Sequence, residues 1–215
     1  PLQRSESCGS LIFLTHKYLL LLLIKVSILR HIPNLVTTCN LAIGVLAVYM
    51  ALGNQLVFAS WLVLLAAVLD FLDGFLARLL DAKSALGKQL DSFADLVSFG
   101  MAPSAILYKL MEYGIRGDIF YGGIQDTSLT ERLLLFSPII LVLFTAMRLA
   151  EFNIREESGE FSGLPSPAAA ILVAGGNICL VRNLGALEGS LLLDPLVLLA
   201  LILIISLLMV LRIPM

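Results

Sequence analysis

The residues that could do chemistry are concentrated between Asp70 and Asp95, in the run DFLDGFLARLLDAKSALGKQLDSFAD. Asp70, Asp73, Asp91 and Asp95 stand there inside segments apolar enough to span a bilayer. A lone ionised carboxylate at the centre of such a helix costs at least ~2.5 to 3.5 kcal/mol, so acids in these segments face a cavity, a partner or a metal. Asp70 and Asp73 are three residues apart and Asp91 and Asp95 four apart, so each pair projects from one face of its own helix. A turn of the chain near Asp81 to Gly87 lets the two acid faces meet. Four converging carboxylates repel one another unless a cation sits between them, and hard oxygen ligands select ions such as Mg2+ or Mn2+. Metal ions beside an arginine suit phosphoryl or phosphatidyl transfer, because they clamp a diphosphate and neutralise its leaving oxygen. Gly74 and Ala77 leave room for a phosphate or nucleotide to approach the helix, and Arg78 can meet a phosphate oxygen in bidentate fashion.

The elements that must position these residues are transmembrane helices. The chain of 215 residues is 59% hydrophobic and 14% charged, with a mean hydropathy of +0.98. A soluble domain is nearer ~45 to 50% apolar. The composition therefore predicts an all-α integral membrane protein. A net charge of -2 argues against a nucleic-acid partner, which would call for a basic stripe. Cys8, Cys39 and Cys179 have neither paired nor metal-ligand spacing and read as small apolar fillers.

In chain order, residues 1–10 lack an initiator Met and are expected to be disordered or foreign to the native chain, and the ending at Met215 is compatible with truncation. Residues 11–30 are apolar but interrupted by His16, Lys17 and Lys25, which favours an amphipathic helix in the membrane interface over a signal peptide or an extra span. His16 and His31 have no ligand-like companions. Residues 31–215 then form one six-helix domain, with spans expected at about 35–52, 56–80, 91–113, 132–153, 167–184 and 194–212. Gly53-Asn54-Gln55 makes a tight loop, residues 81–88 the turn between the acid pairs, and residues 114–131 an extramembrane loop. Pro165 and Pro167 suit the start of the fifth span, and Gly175-Gly176 within it suits close helix packing. Thr37, Thr38 and Asn40 either face the site or bond back to their own helix. Six spans put both termini on the aspartate side. Lys25, Arg30, Arg78, Lys83, Lys88, Arg148, Arg155 and Arg212 fall there, against Lys109, Arg116, Arg132 and Arg182 opposite, so the positive-inside bias makes the aspartate side cytoplasmic.

Asp70, Asp73, Gly74, Ala77, Arg78, Gly87, Asp91 and Asp95 together match the whole motif of the CDP-alcohol phosphotransferase family, which this chain resembles. The flanking HIPN with Thr37 and Asn40, DSFADLVSFGMAPS, RLAEFN and FSGLPSPAAA are similar to the family's phosphatidylserine synthase branch across most of residues 30–213. Glu151 departs from it, standing where that branch usually has a basic residue. The resemblance implies transfer of a phosphatidyl group from CDP-diacylglycerol to L-serine, giving phosphatidylserine and CMP. It implies that Asp70, Asp73 and Asp91 hold two Mg2+ or Mn2+ ions, with Asp95 completing the ligand shell of the second ion or acting as the base. Gly74, Ala77, Arg78 and Gly87 would contact the CDP moiety, and the resemblance also implies a homodimer. For the acceptor's carboxylate the candidate is Arg148, with Ser98 and Asn153 as further polar candidates; a snorkelling anchor is the other reading of Arg148. Two alternatives stand beside this one. Another acceptor, such as glycerol 3-phosphate, inositol phosphate or diacylglycerol, would keep the same core motif. An ion or proton transporter would use the acids as a relay, but leaves Gly74, Ala77, Arg78 and Gly87 unexplained.

Overall fold

The structure is a computed structural model that describes residues 32–81, 84–117, 128–155, 163–182 and 193–211. Residues 1–31, including the expected interfacial helix, lie outside the described residues. The described chain forms α1 (Ile32–Leu52), α2 (Leu56–Leu79), α3 (Ala85–Arg116), α4 (Leu129–Phe136), α5 (Ile139–Arg155), α6 (Ser166–Arg182) and α7 (Pro195–Val210). In lipid every backbone N–H and C=O must be satisfied within the protein, and helices do this within one segment. The helices α1, α2 and α3 and the near-continuous run Leu129–Ile154 are long and apolar enough to cross a membrane, while α6 and α7 are shorter apolar helices. These are the six expected segments.

On α1, and over much of α2, the side that faces inward follows from side-chain size more than from hydrophobicity. The buried positions of α1 are Pro33, Thr37, Asn40, Gly44, Ala47 and Ala51, a seam spaced by threes and fours, while Leu35 and Tyr49 point outward. In a bilayer the lipid tails are as apolar as leucine, so helices associate through small residues that let backbones approach and through polar bonds between them. On α2 the seam continues through Ala59, Ser60, Val63, Ala66 and Asp73, and Phe58, Trp61, Val68 and Phe71 face outward. The α1–α2 loop is as tight as expected, with Asn54 in the left-handed region at φ 64° and Gln55 N–H donating to Met50 O at 2.9 Å. At this same end of the pair, Asn177 of α6 donates through Nδ2 to Ser60 Oγ at 2.8 Å and to Leu56 O at 3.0 Å.

The structure corrects three expected boundaries. The turn after α2 is shorter, because Ser84 caps the next helix by accepting from Gly87 N–H at 2.9 Å, so α3 starts at Ala85. Gly114 is helical, not part of a loop, and α3 ends at Arg116 with Gly117 at φ 71°. The fourth span starts earlier, at Leu129, behind a capping box of Ser128 and Glu131, and breaks at Ser137–Pro138. A further feature had no signal in the hydrophobic pattern. Residues Leu96–Met101 of α3 form a π-helical turn directly after Asp95. Gly44 of α1 and Thr145 of α5 both pack against this turn, at Ser98 and Gly100.

Candidate active site

Four helix ends meet where the aspartates lie: the start of α1, the end of α2, the start of α3 and the end of α5. Asp81, at φ 46°, takes the chain out of α2, and Ser84 restarts it as α3. Between them opens a cavity of about 730 Å3 lined by α1 (Pro33, Asn34, Thr37), α2 (Asp73, Gly74, Ala77, Arg78), α3 and its cap (Ser84, Ala85, Gly87, Lys88, Asp91) and Phe152. All four residues expected to contact CDP are in this wall. Around Gly74 a Cβ would meet nothing closer than Arg78 Nη2 at 3.8 Å, so its face of α2 is bare backbone opening on the cavity. Arg78 Nε donates to Gly74 O at 3.0 Å, which folds the guanidinium along the same face. Gly87 has a different reason to be glycine. A Cβ there would lie 2.8 Å from Asn34 Oδ1 and 3.0 Å from Ser84 Oγ, so glycine lets α3 seat against α1.

The carboxylates fall into two groups that share the cavity edge. Asp70, Asp91 and Asp95 each offer an oxygen, and these oxygens all lie within 4.8 Å of one another. Asp70 and Asp95 come within hydrogen-bonding range of each other. Asp91 belongs both to this cluster and to the cavity wall. Asp73, 4% exposed, also lines the cavity and faces the Thr37 hydroxyl of α1. It does not join the tight cluster. The acids therefore form a triad plus a neighbour.

Two features of this arrangement fit a divalent cation. Two ionised carboxylates 4.8 Å apart repel by about 3.5 kcal/mol at an effective dielectric of ~20, and a triad contains three such pairs. In addition, Asp73 Oδ2 and Asp95 Oδ1 are buried with no hydrogen-bond partner. A buried acceptor without a partner costs about 1 to 3 kcal/mol, more when charged, which a cation ligated by these oxygens removes. The cluster can hold a metal.

The candidates for the acceptor separate. Arg148 of α5 is half-buried, lies within electrostatic reach of Asp95, and donates through Nη1 to Ser166 Oγ at 3.0 Å. Asn153 instead ties α5 to α3, donating through Nδ2 to Ser92 Oγ at 2.8 Å, while Lys88 Nζ reaches Asn153 O at 3.4 Å. Ser98 is fully buried below the cavity in the π turn, where its hydroxyl is shared between Asn40 Oδ1 at 3.0 Å and Asn40 O at 3.2 Å. None of Arg148, Ser98 and Asn153 lines the cavity. Of the polar residues of α1, Thr37 lines the cavity while its hydroxyl also bonds back to Pro33 O at 3.0 Å, Thr38 bonds back to Asn34 O at 2.7 Å, and Asn40 serves the contact with Ser98. Asn34, Ser84, Lys88 and Phe152 line the cavity without having been read as site residues. For Ser84 and Lys88 the signal was present, since both flank Gly87 within the motif; Phe152 is brought in only by packing.

Comparison with known proteins bears on the same residues. A model of the CDP-alcohol phosphatidyltransferase family matches residues 30–211. The CDP-diacylglycerol–serine O-phosphatidyltransferase of Helicobacter pylori is 38% identical over 144 residues, which cover 66% of this chain and 54% of that protein. The proteins of the same name from Mycobacterium leprae and Bacillus subtilis are 34% identical over 155 residues (68% of this chain, 46% of that one) and 33% over 144 (66% and 73%). The chain thus spans about half the length of the H. pylori and M. leprae relatives.

Proposed function

The chain belongs to the CDP-alcohol phosphatidyltransferase family, and from that premise we propose that it transfers a phosphatidyl group from CDP-diacylglycerol to L-serine, giving phosphatidylserine and CMP. The observation that carries this reading is the cavity whose wall joins a bare glycine face, two cations and the acids Asp73 and Asp91, the second of which also belongs to the acid cluster. Gly74 and Ala77 give the nucleotide diphosphate close access to α2, and Arg78 and Lys88 supply positive charge to its oxygens. The choice of serine rests on the printed activity of the relatives from H. pylori, M. leprae and B. subtilis and on Arg148, a cation beside Asp95 for the acceptor's carboxylate. An acceptor carrying its own phosphate would call for more clustered cations than this.

Asp70, Asp73, Asp91 and Asp95 would hold one or two Mg2+ or Mn2+ ions, which when bound neutralise charge on the diphosphate and its leaving oxygen. Asp95 acts as the base. A serine hydroxyl is a weak nucleophile until its proton is withdrawn, and of the two carboxylate oxygens of Asp95 one can serve a cation while the other takes the proton. As the proton passes to Asp95, the bond from serine oxygen to the lipid-bearing phosphorus forms and the bond from that phosphorus to CMP breaks. The walls of α1, α2 and α3 keep the diphosphate in line for this exchange. Acyl chains extend between helices into the bilayer. The site opens to the cytoplasmic side, where the positive-inside bias of the sequence puts it, and the protein works as a homodimer in keeping with its family.

The test is CMP release by the full chain purified in detergent, with CDP-diacylglycerol, Mg2+ or Mn2+, and L-serine, glycerol 3-phosphate, inositol phosphate or no acceptor. Serine-dependent release that a chelator abolishes and that Asp91→Asn and Asp95→Asn lose is expected. Release with another acceptor only would keep the family and discard serine; metal-independent release would discard the cation site.

A further inference from the structure

Arg148 has donors that its surroundings use unequally. Nη1 donates to Ser166 Oγ at 3.0 Å, whereas Nε is buried and has no partner. Ser166 is a fixed point. It is 1% exposed, opens α6, and sits between Pro165 and Pro167, whose rings lock the backbone φ on both sides. The approach to it is anchored on α7: Leu164 N–H donates to Leu208 O at 3.0 Å, and Gly163, at φ 85°, packs so closely that a Cβ would lie 2.7 Å from Met209 O. Only glycine allows that approach, so the hydroxyl has little freedom to follow Arg148.

A guanidinium is a planar fork. Nη1 lies on the side away from the Nε hydrogen, so binding it at Ser166 leaves Nε and Nη2 as the adjacent pair, the edge that meets a carboxylate with two parallel bonds. Arg148 also lies within electrostatic reach of Asp95, whose Oδ1 is buried without a partner. A buried donor on α5 without a partner thus lies on a side chain within electrostatic reach of a carboxylate on α3 that keeps an acceptor without a hydrogen-bond partner. Each such group is costly until something completes it. A small acceptor with a carboxylate at one end and a hydroxyl two carbons away satisfies both at once.

We propose that Ser166 is the positioning residue that makes this site selective for a carboxylate-bearing acceptor, by holding Nη1 of Arg148 so that its Nε–Nη2 edge faces the acceptor. The inference deepens the reading given under Proposed function and rests on it. Ser166 itself does not touch the reacting atoms. Its removal releases the fork to rotate, and the acceptor then loses orientation but the CDP-diacylglycerol cavity keeps its wall.

The experiment measures KM for L-serine and for CDP-diacylglycerol, and the preference for L-serine over serinol, which has a hydroxymethyl group in place of the carboxylate. Ser166→Ala is expected to raise the serine KM about 10-fold, the loss expected when a hydrogen bond to a charged group goes. It should cut the serine-over-serinol preference by a similar factor and leave the CDP-diacylglycerol KM within about twofold. Ser166→Thr, which keeps the hydroxyl, should restore most of both. If Ser166→Ala does not fold, Ser166→Cys, nearly the same size with a much weaker acceptor, carries the same comparison. An unchanged serine KM, equal rises in both KM values, or an unchanged serinol preference would overturn the assignment of Ser166. Wild-type protein that releases CMP only with other acceptors, or not at all, would instead overturn the serine reading and this inference with it.

Discussion

Gly74→Ala separates the binding surface from the fold. In α2 the new methyl would meet only Arg78 Nη2, at 3.8 Å, an ordinary contact with the end of a flexible side chain. Alanine is also a better helix residue than glycine by ~0.8 to 1.0 kcal/mol, so the folded protein should be as stable as before or slightly more so. The methyl projects instead into the cavity of about 730 Å3. That volume is large enough that one methyl does not fill it, so any loss must come from the ligand's need to lie against the α2 backbone. Forcing an extra methyl into a fitted contact costs ~1 to 3 kcal/mol. At 1.4 kcal/mol per tenfold this is a fall of roughly 5- to 140-fold in kcat/KM for CDP-diacylglycerol. The assay is CMP release in mixed micelles at varied mole fraction of CDP-diacylglycerol and saturating serine, with thermal stability followed on the same preparation. A variant that is stable and retains full kcat/KM would refute the claim that the nucleotide contacts this face. A variant that unfolds would refute the claim that the space beside Gly74 is open.

Two further substitutions test the scaffold. Gly44→Ala should behave in the opposite way, because its Cβ would run into the Ser98 side chain and lie 2.9 Å from Ser98 Cα, which cannot step aside; we expect a loss of ~1 to 3 kcal/mol, read as a lower midpoint of thermal unfolding in detergent. Ser84→Ala removes the cap that accepts from Gly87 N–H, costing ~1 kcal/mol locally; hydrogen exchange should show the first turn of α3 fraying, and because Gly87 and Lys88 line the cavity there, the KM for CDP-diacylglycerol should rise with little change for serine.

Much of this protein is determined by sequence alone, for reasons that are local. The membrane class follows from composition, and the six apolar segments from their length, because a bilayer leaves helices as the economical way to satisfy a backbone. The acid pairs follow from three- and four-residue spacing, and the glycine and arginine of the cavity wall from their fixed distances to those acids. The N-cap serine Ser84 and the capping box of Ser128 with Glu131 are local signals too, and explain why α3 and α4 start earlier than hydropathy alone suggests. What spacing cannot give is which neighbour each side chain meets. Thr37, Thr38 and Asn40 look alike in the sequence, yet of the two threonines, which both bond back to their own helix, only Thr37 lines the cavity, and Asn40 holds Ser98. Asp73 stands apart from the triad of Asp70, Asp91 and Asp95 although its spacing from Asp70 suggested a single group. The π turn at Leu96–Met101 changes which faces of α3 lie above and below it, and Arg148 acquires its partner from a helix that starts 18 residues later. These contacts depend on helix register and close approach between distant segments, and those are settled only when the whole bundle packs.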